Sequence, residues 1–475
     1  MIDTLPYDKS NVLSIYNYSK KLINHTLREM VSPDKLYQRK GKGKLGQLIE
    51  ELYFEYEINS NPTPDFEEAG IELKCTPLKM LKTGDLQIKE RLVCNMINYS
   101  KVVKEQFEDS YFFKKCTLML LLFYLHQSKI KVYDLKFIYS VLWKLSEKDL
   151  LIIKQDYETI INKIKRGEAH LLSEGDTMYL GASRKGYKNQ KETKQPFSKK
   201  VAPQRAFALK QAYMRTVLQY VKEHNDNTVC NYETSLKLPA LVTSEDLKNS
   251  SFELIIQRKY KPYKGLNYVE ICKKIHIKEN DNAKHKYFII SNAIAMGKNS
   301  LIDSSEEFQK SGIRLKTIRM NYSGRIEQDM SFENINYTEV YKTGNWLDSR
   351  LYDIFTGRFF FVVFKEKEPN SSLTLENGKK EKEYVLYKTF FWTMPYEDLK
   401  SAEAYWNNIK KNVCDNTITL KHFYRLSDNM KFHVRPKGNI RYYKNATKNP
   451  NGGMADRFCY WFNKSYIKAI IEGAG

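Results

Sequence analysis

The strongest constraint on how this chain can fold is that it repeats itself. Residues 64–74 read PDFEEAGIELK and residues 307–316 read EFQKSGIRLK. Asp149-Leu150, with Tyr157 seven residues beyond Leu150, is echoed by Asp398-Leu399 with Trp406. The apolar run at 116–125 has a counterpart at 358–365. The basic loop carrying Arg184-Lys185 is matched by Arg435-Pro436-Lys437, and LKQAYM at 209–214 by FNKSYI at 462–467. Weak matches recurring in one order imply two copies of one fold in a single chain. A length of 475 residues agrees, being too long for one ordinary core and suited to two domains. The expected organisation is α/β (mixed), with one copy over residues 1–222, a polar linker over 223–251 and the second copy over 252–475.

Local patterns fill in the first copy. Leu45, Leu48, Ile49, Leu52 and Tyr53 fall at helical spacing and predict an amphipathic helix over 44–58. The stretch NSNPTP at 59–64 reads as a breaker loop. Strands are expected over 70–76, 90–99 and 111–125, and helices over 148–166 and 205–222. Residues 172–189 read as a strand followed by a basic loop. In the second copy, residues 375–383 and 445–456 read as surface loops.

Charge narrows the partners. Lys and Arg number 78 against 56 Asp and Glu, a net charge of +22. Such a surplus favours a polyanion, with phosphate the usual target. The seven cysteines contain no C-x-x-C pair, which points to reduced thiols in a cytoplasmic setting and away from a disulfide frame or zinc site. The opening MIDTLPYDKS has no basic n-region and no apolar h-region, so no signal peptide is expected. The run CTLMLLLFYL is too short to span a bilayer and reads as a buried central strand, so no membrane association is expected.

The candidate chemistry lies in the first phrase, where Asp65, Glu72 and Lys74 stand in a D-x6-E-x-K arrangement. On a strand, Glu72 and Lys74 point to one face, while Ile71 and Leu73 point to the other. Asp65, on the preceding turn, can reach the same spot. Two carboxylates then form an oxygen-rich site suited to Mg²⁺, which stabilises charge on a phosphate and lowers the pKa of a bound water. Lys74 would orient or deprotonate that water, and Glu50 would add a third acid. E-x-K alone is a weak signal, since Glu192-Thr193-Lys194 also satisfies it in a chain with 28% charged residues.

Wider motifs add weight. Gly46-x3-Glu50, Asp65-Phe-x-x-Ala69-Gly-Ile-Glu-Leu-Lys74 and the KERLVCNMINY stretch at 89–99 occur in order. Leu172-Ser-Glu-Gly175 with Tyr179-Leu180, and Gln204-Arg-Ala-Phe-x-Leu-Lys210, come after them. On these residues the chain resembles the MutH-like endonucleases, most closely the long type II restriction branch of the Sau-three-AI type. The resemblance implies two tandem restriction-endonuclease-like domains of the PD-(D/E)xK class. It also implies Mg²⁺-dependent cutting of double-stranded DNA at a short site, GATC in this family. Catalytic roles carry over onto Glu50, Asp65, Glu72 and Lys74, with Asp65 and Glu72 as metal ligands. A further active-site lysine falls on Lys114 or Lys115.

For DNA contacts, the resemblance assigns base reading to Arg184 and Lys185, although Ser183 stands where the family has Arg and Arg184 where it has Pro. It assigns phosphate contacts to Arg205 and Lys210. In the second copy, Arg435, Lys437 and Lys464 are the corresponding DNA-binding candidates. By spacing, Glu307 aligns with Asp65, Arg314 with Glu72, Lys316 with Lys74 and Asn292 with Glu50. An arginine among would-be ligands repels a divalent cation. The second copy is therefore expected to be catalytically degenerate while still binding DNA, as an effector at a second site. The chain is expected to be a monomer able to dimerise on DNA. A mismatch-repair-type nicking enzyme and a non-catalytic DNA-binding regulator are the competing readings.

Overall fold

The computed structural model describes residues 5–38, 45–56, 63–81, 83–184, 192–224, 238–278, 285–428, 430–436 and 447–474. The chain divides into two compact units, Met1–Ser251 with Gln309–Gly312, and Phe252–Phe308 with Ile313–Gly475. Each is a mixed α/β body.

In the first unit the apolar strand Leu118–Leu125 is central. It pairs in parallel with Glu72–Met80 and antiparallel with Phe137–Lys144, while Leu86–Ile88 completes the four-stranded sheet. A continuous apolar run suits a strand covered on both faces. The alternation expected around Glu72 holds: Ile71 and Leu73 are buried in a cluster with Leu48, Ile49, Leu120, Leu122 and Leu142. A second, antiparallel sheet places Arg205–Leu209 between Leu92–Met96 and Leu180–Arg184.

Several elements differ from the sequence expectation. Residues 111–125 are not one strand. Ser110 caps a helix, Tyr111–Cys116, its hydroxyl accepting from the Phe113 amide at 3.1 Å, and the strand begins only at Leu118. Residues 205–222 are not one helix. Ala206, Phe207, Ala208 and Leu209 are all buried as a central strand, followed by helix Gln211–Glu223. A short apolar run satisfies a buried strand and a buried helix equally. The expected helix at 44–58 is α-helical only over Leu45–Leu48. It then widens into a π-turn, Ile49–Tyr53, closed by Phe54 N–H to Ile49 O at 3.0 Å. The expected linker is partly structured, because helix Ser244–Asn249, capped by Thr243, belongs to the first unit. Residues 59–62 of the expected loop, 225–237 of the linker and 445–446 lie outside the described residues.

The second unit is built on the same plan. Arg314–Met320 runs parallel to Arg358–Glu366, which pairs antiparallel with Tyr384–Thr393. Cys459–Phe462 lies between Met330–Asn334 and Phe432–Arg435. The register sets Lys316 beside Phe361 as it sets Lys74 beside Leu121. The repeated Asp–Leu phrase has a structural cause. The Tyr213 hydroxyl donates to Asp149 at 2.8 Å, and the Tyr466 hydroxyl donates to Asp398 at 2.6 Å. Both copies thus keep one side-chain bond between the long helix, Glu147–Lys165 or Tyr396–Cys414, and the helix that comes after the second sheet. No helix among the described residues is long and apolar enough to cross a membrane.

One buried acid fixes the approach to strand Leu180–Arg184. Asp156, on the long helix, accepts the amides of Met178, Tyr179 and Leu180 at 2.6, 2.6 and 2.9 Å. Burial pushes its carboxyl up to about 6, against the pull of Lys210 and those three bonds. Asp156→Ala would strand the three amides, each costing about 1–3 kcal/mol when unsatisfied. Urea unfolding should show a loss of roughly 3 kcal/mol or more, whereas substitution of the exposed Glu158 on the same helix should cost under about 0.5 kcal/mol.

Candidate active site

The site is assembled at the start of strand Glu72–Met80. Its first element is a reciprocal backbone clamp. The Leu73 amide donates to Asp65 Oδ2 at 2.8 Å, and the Asp65 amide donates to Glu72 Oε2 at 3.2 Å. Gly70, at φ 67°, makes the tight turn between them, aided by the Phe66–Ile71 bridge. Glu72 is only 1% exposed and is contacted by two ammonium groups. Lys74 Nζ bonds Oε1, and Lys115 Nζ lies 3.4 Å from Oε2. Lys115 comes from helix Tyr111–Cys116, where the sequence predicts strand, while Lys114 is exposed. Glu50 enters from the π-turn, a local widening often found at functional positions.

The charges are strongly coupled. Burial, then Asp65 and Glu72, push the Glu50 carboxyl up to about 7, against the pull of Lys74 and Lys115. Burial also raises Glu72, opposed first by Lys74. Burial works against the Lys74 ammonium, but Glu72 and Asp65 among its neighbours hold its pKa above the ordinary lysine value. The Lys74 ammonium is thus paired with Glu72 and offers positive charge at the strand end. Asp65, Glu72, Lys74 and Lys115 thus meet at one strand end, and Glu50 lies near enough to feel their charges.

A family model described as DNA mismatch repair enzyme MutH matches residues 54–156, the span that holds Asp65, Glu72, Lys74 and Lys115. The type II restriction enzyme Sau3AI of Staphylococcus aureus is 30% identical over 505 residues, covering 97% of this chain and 98% of that protein. The chain belongs to the MutH-like type II restriction endonucleases. It is a site-specific deoxyribonuclease.

The DNA-contact candidates of this endonuclease fall in varied places. Arg184 ends its strand, half-buried and opposite Arg205 in the ladder. Lys185 and Lys437 lie outside the described residues. Arg205 is not a surface phosphate contact. It is 2% exposed, and its guanidinium donates to the carbonyls of Ala182, at 2.6 Å, and Leu172. A central position between two strands has turned its charge inward. Lys210 is also drawn in, its ammonium bonding the Thr177 carbonyl. Arg435 lies 4.0 Å from the Trp461 ring and 3.2 Å from Asp329, half-exposed at its strand end. Lys464 starts the last helix, its amide donating to Asp329 at 2.8 Å. One pair escaped sequence reasoning. Arg91 is ion-paired with Glu174 and donates to Ser183 at 3.2 Å. The signal was present, since opposite charges stood in two of the motifs at 89–99 and 172–175.

In the second unit the clamp survives with different chemistry. The Leu315 amide donates to Asp303 Oδ1 at 3.0 Å, as Leu73 does to Asp65. Asp303, not Glu307, therefore occupies the place of Asp65. Glu307, aligned by spacing, is fully buried on helix Glu306–Ser311. That helix lies between Asp303 and the strand, so the spacing is longer than in the first copy. Arg314 begins the strand where Glu72 does, 3.2 Å from Glu333, which also takes both arms of Arg350 at 3.0 and 2.7 Å. Lys316 donates to the Ser331 carbonyl at 3.2 Å. Asn292, in place of Glu50, is an internal brace, accepting from Ile302 and donating to Phe288, both at 2.7 Å.

The raised Glu50 pKa has a testable sign. Unfolded, the group titrates near its ordinary 4.5, and folded near 7. Across that window the folded chain holds the extra proton, so stability declines as pH rises and stays lower above it. Without divalent metal, Glu50→Gln should melt a few degrees above wild type at about pH 8, about 1 kcal/mol after solvent screening. The gap should close toward about pH 4, where both side chains are neutral.

Proposed function

We propose that the first unit cuts both strands of duplex DNA at a short site, GATC, using Mg²⁺ held by Asp65 and Glu72. One contrast carries this reading. In the first unit Glu50, Asp65, Glu72, Lys74 and Lys115 gather around one strand end, while Arg314 begins the matching strand of the second. The donor chemistry fits the ion. Burial and neighbouring carboxylates raise Glu50 and Glu72, which a divalent cation would relieve, and Mg²⁺ takes one or two carboxylates, completing its shell with waters and phosphate oxygens. When bound, Mg²⁺ would neutralise phosphate charge and supply a water of lowered pKa.

The chain's own groups do the rest. The Asp65 clamp fixes the acidic edge, and Lys74 and Lys115 orient Glu72 and offer positive charge to the phosphate. Glu50 completes the acidic wall. The word GATC comes from the family resemblance. In the second unit Arg314 and Arg350 stand in place of a cation site, and Arg435 is set at a strand end by Trp461 and Asp329. These features support binding of a second GATC by that unit, as an effector coupled in free energy to cutting by the first. The working form is a monomer that can pair with another copy on DNA.

Asp65→Ala, Glu72→Ala and Lys74→Ala should each lower cleavage of GATC plasmids roughly a thousandfold or more while DNA affinity stays near wild type. Chelation of Mg²⁺ should have the same effect. If nicked circles accumulate without linear product, a nicking enzyme is the better description. Plasmids with two GATC sites should be cut several-fold faster than those with one, and added GATC oligonucleotide should rescue the single-site rate. Equal rates, unmoved by oligonucleotide, would remove the effector role.

A further inference from the structure

The connection between strands Leu180–Arg184 and Arg205–Leu209 carries a rigid tip that no catalytic argument uses. Its neck is the pair Glu192–Thr193 with Ala202–Pro203, and residues 194–201 form the tip. The tip is anchored from within. Gln195 is buried, its Oε1 accepting from the Ala169 amide at 2.8 Å and its Nε2 donating to the Lys200 carbonyl at 2.8 Å. The same Nε2 lies 3.1 Å from His170 Nδ1. Gly167, at φ 74°, lets the chain pass so close that a Cβ there would come within 2.5 Å of the Phe197 carbonyl oxygen. Below the neck, the Tyr99 hydroxyl donates to the Pro203 carbonyl.

On this anchored tip Phe197 has φ 63° and is 71% exposed. Most other non-glycine residues with positive φ here are asparagines, which tolerate it; a bulky side chain does not. A phenylalanine held in that conformation is ordinarily compensated by core packing, but this ring faces outward. Neither local preference nor burial accounts for it, and strain kept in place by surrounding structure is a mark of function. Lys194, Lys199 and Lys200 flank Phe197 in sequence and are exposed, and residues 194–204 contain no acid. Lysines of this kind attract phosphates. Close to a phosphate backbone, the apolar surfaces within reach of a phenyl ring are base and sugar faces.

We propose that Phe197 is a wedge that enters the duplex beside the recognition site and stacks on a base, partly unstacking one step, while the three lysines hold the flanking phosphates. Apolar wedges of this kind kink DNA and make sequence-dependent deformability part of recognition. The proposal rests on the nuclease reading above and adds a specificity-determining residue to it.

The test uses the full chain with Ca²⁺ in place of Mg²⁺. Duplexes carry one GATC and a fluorescent adenine analogue, whose emission rises on unstacking, moved through each flanking position in turn. Wild type should raise emission at one position. Phe197→Ala should abolish that rise and weaken binding and, with Mg²⁺, cleavage by roughly ten- to a hundredfold. Phe197→Trp should retain the rise, and unchanged circular dichroism of both variants excludes misfolding. Lys199→Ala with Lys200→Ala should reduce affinity and its salt dependence while leaving emission per bound complex unaltered. If wild type cuts GATC DNA and Phe197→Ala matches it in binding, emission and rate, the wedge is overturned alone, and the ring is then available to a protein partner. If wild type neither binds nor cuts any GATC duplex, the wedge and the GATC reading fall together.

Discussion

The bond from the Leu73 amide to Asp65 is the constraint on which the site depends. Leu73 belongs to the hydrophobic core, so its backbone is as fixed as the sheet itself. Tying a carboxylate to that amide hands the rigidity of the core to the acid. The return bond from Asp65 to Glu72 closes the loop, and strand alternation puts Lys74 on the same face as Glu72. Precision is thus imported from packing through the clamp, while Lys74 and Lys115 offset the repulsion among the carboxylates. The second unit shows that the clamp and the chemistry are separable, because Asp303 and Leu315 keep the clamp while Arg314 changes the charge it presents.

The sequence exposed those features that depend on local period and on repetition. The D-x6-E-x-K spacing was readable because a strand has a period of two, and the tandem plan because matched phrases kept their order. The Asp–Tyr bond of each copy explains why such weak phrases recur at all. Other features were hidden for physical reasons. Lys115 was one of two adjacent lysines, and the helix that Ser110 caps, not the strand expected there, carries it toward Glu72. Arg205 looked like a surface charge because nothing local announces that two carbonyls await it inside. Asp303 escaped because a helical turn interrupts the spacing to its strand. Asp156 escaped because its three amide partners lie on a distant turn.

The catalytic unit carries an electrostatic burden. Glu50 and Glu72 are held where neither would ionise readily on its own, and the large apolar cluster behind them makes this tolerable. Residues arranged against their own preferences commonly mark places where a ligand completes the balance. In the second unit that balance is internal: Glu333 serves two arginines, and Asn292 is spent on backbone bonds.

The widened turn beneath Glu50 has an evolutionary consequence. It holds one residue more than an α-turn, so losing a single codon there would let the helix close to ordinary pitch while the residues beyond it stayed nearly in register. The carboxylate would swing out of the cluster while Leu45 and Leu48 stayed buried. The acidic cluster would lose one member while the apolar core beneath it stayed intact.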